Sequence, residues 1–468
     1  MKRSNRGDAY LATGSGPRTA ASSLRTQAPL DYVPTIGDKS RDNSVMLAVF
    51  VAFLLLYGSG HRLDRPSGRF EGLARDLGAA EDTLLRATES LVLRGATSID
   101  EGLGQPGVGG RFFPRFAVGT PLVHAPLYWA GWLLSGGRRE VAWQTARVAG
   151  LFIGALIPAL VYRLARVLGG GPLGATAAAL VTGAATILWP YALWVTPHAL
   201  SALCVTAATV GAVSYRRFPR MQSMVTATAG LAGAVLVRPV NVLLAPILLV
   251  HVFADRPRRL LPQVRRMPVF VLPVLGAAAW TVWHNHARFG HWLDFGCGRE
   301  GFTFPLTTSI PRLLAGRETG LLWFNPPVVV GLGVVAWLLI RRRREALLLA
   351  ALSATIFLAA ASWHNWSGGG AWGPILLLEV VPLLSAPAAL ALGPRRRSWP
   401  AWAGVGCLAG AGVAIQVPVV LARNAQGYFV CWWRGWPWVG AVLIVMAVGA
   451  GCLAVRLALR CEREANGR

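Results

Sequence analysis

From residue 44 to residue 456 the chain alternates between long apolar runs and short polar joints. A helix needs roughly 20 apolar residues to cross a bilayer core. On that measure twelve runs are predicted as spanning helices: 44–59, 144–167, 173–190, 199–215, 223–237, 240–254, 267–287, 319–340, 346–363, 375–393, 401–421 and 438–456. The pattern predicts an all-α polytopic membrane protein. No segment beyond residue 120 has the polar surface to fold separately in water.

One further apolar stretch, 117–135, is predicted to be re-entrant or interfacial. Pro121, His124, Pro126 and Tyr128 interrupt it, and its exclusion as a span sets the orientation of everything after it. Basic clusters at Arg216-Arg217 with Arg220, Arg256 to Arg266, Arg341 to Arg344, Arg395 to Arg397 and Arg456 to Arg463 then fall on one side with both termini. Cationic loops resist translocation, so that side is assigned to the cytoplasm of a cell (inner or plasma) membrane. Arg138-Arg139 is the exception left outside. The polar, basic residues 1–43 read as a disordered cytoplasmic tail, 44–456 as the membrane domain and 457–468 as a cytoplasmic C-terminal tail.

Composition agrees with this pattern. The 468 residues are 54% hydrophobic and 14% charged, with a net charge of +25 and a mean hydropathy of +0.47. The positive charge lies in the joints between apolar runs, which is a solvated or lipid-facing rim and excludes a nucleic-acid surface. The six cysteines have no metal-ligand spacing; Cys297 and Cys431 both fall in outer loops, where a disulfide between them can form.

Arg238-Pro239 interrupts the stretch 223–254. An arginine at mid-membrane costs ~2.5–3.5 kcal/mol on insertion scales. Two short helices meeting at the outer surface remove that cost; a salt-bridged structural Arg238 is the other reading. The outer side then holds loop 60–143, the joint from Trp189 to His198, loop 288–318, loop 364–374 and the Trp-rich loop 422–437.

Eight of the 21 acidic residues lie between Asp64 and Glu101. Within that segment Ala79 to Gly95 reads as an amphipathic helix lying on the membrane, with Leu84, Leu85, Leu91 and Val92 facing down and Gly95 as its stop. Glu81 and Asp82 fall in its first turn, where they either favour the helix dipole or serve chemistry. Downstream, Arg111 and Arg115 flank Phe112-Phe113-Pro114, a spacing suited to a lipid phosphate or to ordinary snorkelling. Arg288, Arg299, Arg312 and Arg317 accumulate in an outer loop; an anionic ligand or pairing with Asp294, Glu300 and Glu318 accounts for them. Trp366 and Trp372 bracket Gly368-Gly369-Gly370, which suits a sugar ring against indole faces or simply a tight turn.

Taken in order, several motifs resemble the polyprenyl-phosphate-dependent sugar transferases of the GT-C fold, especially bacterial relatives of glycosyltransferase family 39. That group includes protein O-mannosyltransferases and the lipid A aminoarabinose transferase. The motifs are Glu81-Asp82-Thr83-Leu84, Arg94-Gly95, Gly119-Thr120-Pro121 through Tyr128, Pro190-Tyr191, Val237-Arg238-Pro239, Arg288-Phe289-Gly290, Asn325-Pro326 and Trp366 with Gly368 to Pro374. Two positions depart from the family pattern: Ala80 precedes the acid pair in place of glycine, and Ile375 stands where an arginine usually follows Pro374.

The resemblance implies a GT-C-like bundle of about 12 transmembrane helices whose long first extracytoplasmic loop carries interfacial helices. It further implies transfer of a sugar from a polyprenyl-phosphate donor to a hydroxyl of a protein, lipid or polysaccharide acceptor. Asp82 is then the first choice of base and Glu81 the second. Arg111, Arg115, Arg238, Arg288, Arg299 and Arg312 are candidate phosphate ligands; Tyr191, His198, Trp366 and Trp372 complete the substrate-binding set. A divalent cation is compatible with the resemblance, with no ligand cluster to assign to it. A lipid-linked glycan flippase, a surface-glycan polymerase and a catalytically silent scaffold are the alternatives. A transporter would place ionisable residues inside its spans, where Glu379 is the main exception to an acid-free pattern.

Overall fold

The computed structural model describes residues 36–59, 74–99, 104–254, 260–298, 300–369, 371–392, 399–425 and several positions between 446 and 460. Arg299, Cys431, residues 1–35, most of the span expected at 438–456 and the last eight residues lie outside them.

The apolar runs are helical. The elements are α1 (Ile36–Ser59), α2 (Ala74–Arg94), α3 (Gly119–Leu134), α4 (Arg139–Leu168), α5 (Pro172–Ala184), α6 (Leu188–Ala192), α7 (Pro197–Arg217), α8 (Met221–Val237) and α9 (Ala245–Phe253). They continue with α10 (Leu260–Phe289), α11 (Leu306–Ala315), α12 (Leu321–Phe324), α13 (Val328–Ile340), α14 (Arg344–Ser362), α15 (Val380–Ser385) and α16 (Trp399–Ala425). Among the described residues the only strands are β1 (Gln105–Pro106) and β2 (Phe112–Phe113), antiparallel with Gln105 opposite Phe113. Among the described residues six helices are long and apolar enough to cross a membrane, and five shorter apolar segments accompany them. The protein is an all-α polytopic membrane protein.

Burial sorts the helices into centre and rim. In α4 and α7, 72% of the most apolar window is buried, against 22% in α10 and 17% in α16. α10 presents Leu272, Leu275, Trp280 and Trp283 outward and α16 presents Trp399, as lipid-facing helices do. α7 and α8 pack closely because Ala208, Gly211, Ala227 and Gly230 meet at their interface; small residues let helix backbones approach.

At one end of the bundle, basic side chains close the helix ends. The Asp42 carboxylate accepts from Tyr162 at 2.7 Å and from Arg166 at 2.9 Å. Arg166 also donates to the Gly170 carbonyl, Arg217 to Leu168 and Arg216 to His251. These carbonyls lie at or just beyond helix C-termini, where cations are favoured. Asp42 is buried, so α1 runs back to Ile36 and the end of the expected tail is helical.

Three expectations change. α2 begins at Ala74, which puts Glu81 and Asp82 about two turns inside the helix rather than in its first turn. Its apolar face is covered by protein instead of lipid: Leu84 and Leu85 pack with Tyr128, Ala142, Trp143, Ala146 and Val195. The stretch 117–135 forms one continuous helix despite Pro126, since Pro121 sits in its first turn and its neighbours α2 and α4 hold it. Its 16 residues span ~24 Å at 1.5 Å each, short of a bilayer core.

Candidate active site

α2 ends as its sequence dictates. Gly95 adopts φ +62°, and Ala96 and Gly95 return hydrogen bonds to Ser90 and Leu91, the left-handed stop that glycine permits. Successive residues on this helix face different neighbours. Glu81 is buried; its Oε1 accepts from Arg147 Nε of α4 and from the Val195 amide, each at 3.3 Å. Asp82 points about 100° away around the helix and lies 3.7 Å from Arg86, which in turn covers the Trp143 ring. Glu89 takes Arg139 at 2.8 Å and the Trp143 indole N–H at 3.1 Å. Glu81 therefore faces the joint between α6 and α7, Asp82 lies against Arg86 of its own helix, and Glu89 faces the α4 N-terminus.

That joint carries two expected substrate residues. Thr196 caps α7 by accepting from the Ala199 amide, and His198 sits in the first turn. The His198 ring is in electrostatic reach of both Arg238 and Arg115, and its Nδ1 has no hydrogen-bond partner among the described residues. Tyr191 is buried and donates to the Trp372 carbonyl at 2.9 Å. Trp372 packs edge-on to Phe324 and donates to Gln416 at 3.1 Å. Tyr191 and Trp372 thus meet, in an arrangement whose hydrogen bonds are made within the protein.

The expected arginines separate into distinct roles. Arg288 is buried; it donates to the carbonyls of Pro114 at 2.8 Å and Phe116 at 3.2 Å, and to Asn285 at 2.8 Å. It clamps the segment carrying Arg115, and Phe113 adds a ring contact to Phe289. Arg115 itself remains half-exposed, 3.8 Å from Glu300. Arg111 is exposed at the tip of the β1–β2 turn. Arg312 lies over the Trp366 ring with a 6.0 Å separation, and Phe304 flanks the same ring.

Arg238 ends α8 in extended conformation, ahead of a short 3₁₀ turn at Pro239–Leu244. The helix therefore breaks where the sequence places the charge. Gly119 makes this end accessible to α3, since a Cβ there would stand 2.7 Å from the Leu236 carbonyl. Arg238 Nη1 donates to Glu379 Oε2 at 2.6 Å. Glu379 Oε1 accepts from Ser201 Oγ and from Asn241 Nδ2, and Asn241 also donates to Ser201 at 2.6 Å.

Glu379, Ser201, Asn241 and Arg147 are the site-region residues that sequence reasoning did not select. Glu379 alone left a signal, as an acid inside an apolar run. Among the described residues no cluster of His, Cys, Asp or Glu could hold a metal ion. The partner expected for Cys297, Cys431, lies outside the described residues.

The chain has the GT-C fold. ArnT from Cupriavidus metallidurans bound to undecaprenyl phosphate superposes with a TM-score of 0.54 at 18% identity, covering 90% of this chain and 74% of ArnT. The apo ArnT structure gives the same TM-score at 16% identity, covering 91% and 77%. The archaeal oligosaccharyltransferase AglB from Archaeoglobus fulgidus, in complex with an inhibitory peptide and a dolichol-phosphate, gives 0.50 at 13% identity. It covers 83% of this chain, and this chain spans 56% of AglB. No family model matches the sequence, and no curated protein matches it.

Proposed function

We propose that this protein is an integral membrane glycosyltransferase that moves a sugar from a polyprenyl-phosphate donor to an acceptor hydroxyl at the extracytoplasmic face. The observation that carries the reading is that His198 lies within electrostatic reach of Arg115 and Arg238, three residues beyond the Val195 amide that Glu81 binds. Two arginines in the region of a carboxylate meet the two demands of the reaction. The acceptor must lose a proton, and the departing phosphate must gain a stabilised negative charge. The GT-C neighbours and the undecaprenyl phosphate bound by ArnT support a lipid-phosphate donor.

In this mechanism the acceptor oxygen attacks the anomeric carbon and its proton passes to a carboxylate. The bond from that carbon to the phosphate oxygen breaks, and its electron pair leaves with the polyprenyl phosphate. Arg115 and Arg238 receive the added charge. The sequence ranks Asp82 first as base, whereas we favour Glu81, because it is the acid packed against the joint at Val195 that leads into the helix carrying His198. Asp82 is turned to Arg86.

The test is transfer of label from polyprenyl-phosphate sugars in membranes containing the full chain. Glu81→Gln is expected to lower kcat by roughly 10²–10⁴-fold, the usual contribution of a general base, while Asp82→Asn retains activity. The reverse pattern returns the role to Asp82. Relocation of carrier without transfer identifies a flippase instead. The labelled product names the acceptor as protein, lipid or polysaccharide.

A further inference from the structure

We infer that Glu379 is a positioning residue that holds the Arg238 guanidinium ready for the donor phosphate, an inference that rests on Arg238 being a phosphate ligand. Glu379 is fully buried, and a carboxylate taken out of water must be completely partnered. Its oxygens are engaged from three separate elements: Arg238 after α8, Ser201 on α7 and Asn241 in the 3₁₀ turn. Ser201 lies one helical turn from His198. The guanidinium is thereby fixed relative to the helix that carries the histidine.

The form of the pair points to orientation rather than to mutual neutralisation. An arginine and a carboxylate that serve only each other commonly form two parallel hydrogen bonds. Here a single nitrogen, Nη1, is bound. Nε and Nη2 donate to no protein group among the described residues, and the side chain keeps 18% of its surface exposed. Glu379 grips the inner corner of the guanidinium and leaves the outer edge available to an anion. An arginine fixed before its ligand arrives loses little conformational freedom on binding, which strengthens affinity. The same contacts explain an acid inside an apolar run without a transport role.

The experiment uses the full chain purified in detergent, with undecaprenyl phosphate as the binding probe and donor kcat and KM measured in parallel with thermal midpoints. Arg238→Ala, Glu379→Gln, Ser201→Ala and the double variant Arg238→Ala/Glu379→Gln are compared. Glu379→Gln is expected to weaken probe affinity about tenfold and raise donor KM more than it lowers kcat, and the double variant to bind no more weakly than Arg238→Ala alone. Ser201→Ala, which keeps both charges, is expected to weaken affinity in the same direction by a few-fold. If Arg238→Ala weakens binding while Glu379→Gln shifts only the thermal midpoint, the positioning role is overturned and the phosphate site stands. If Arg238→Ala binds the probe as the unaltered chain does, the phosphate assignment fails and the positioning role with it. Should Glu379→Gln not fold, unchanged affinity in Ser201→Ala overturns the proposal.

Discussion

Arg288 illustrates how far a side chain's role departs from its charge. It sits in the last turn of α10 beside a loop rich in arginines, yet its guanidinium is spent on two backbone carbonyls and an asparagine. Hydrogen bonds from a charged donor contribute about 1.5–3 kcal/mol each. Arg288→Ala is therefore expected to lower the thermal midpoint and to weaken donor binding through the loosened Arg115 segment. Arg288→Lys should not restore either property, since a single ammonium cannot copy the planar fork. An unchanged midpoint in Arg288→Ala would remove the clamp. The sequence marks which arginines are unusual, because each violates the positive-inside pattern. It does not assign them, because their partners are remote: Pro114 lies 174 positions from Arg288, and Glu379 lies 141 from Arg238. Glu81 and Asp82 differ only in which way a helix turns them, and that rotation is set by packing against Arg147 and Val195.

Elements were more legible than residues. The expected spans within the described residues are largely helical because hydropathy marks them, but 173–190, 319–340 and 375–393 are broken into short helices and 240–254 begins as a 3₁₀ turn. Expectation fails where packing, not hydropathy, decides. The start of α2 moves upstream, and the 117–135 stretch is continuous because neighbouring helices hold it. The contact between α3 and the end of α8 has a direct consequence for the site. Gly119 lets the two backbones touch at Leu236 and Val237, which brings the Arg115 segment beside Arg238. Gly119→Val is expected to separate them, raising donor KM several-fold and lowering stability by about 1–3 kcal/mol through overpacking. Gly276→Val, at a position with open space around its Cβ, is the control and should leave donor KM unchanged. Equal behaviour of the two variants in the transfer assay would remove α3 from the assembly of the site.

For the molecule as a whole, the two ends of the bundle differ in what their arginines do. At one end Arg166, Arg216 and Arg217 cap helices and join Asp42, and Arg344 adds to the charge near His251. At the other, Arg115 and Arg238 keep part of their donors toward open space beside His198. The proposed extracytoplasmic transfer needs the second end to face away from the cytoplasm, the orientation that the positive-inside rule predicts from the cationic joints of the first. Arg317 and Arg342 are both exposed and lie at opposite ends of the segment through α12 and α13. In a cysteine-free background, Arg317→Cys is expected to react with a membrane-impermeant maleimide in intact cells, and Arg342→Cys only after permeabilisation. Labelling of Arg342→Cys in intact cells would invert the protein, and Arg115 and Arg238 would then face the cytoplasm, where an extracytoplasmic acceptor is out of reach.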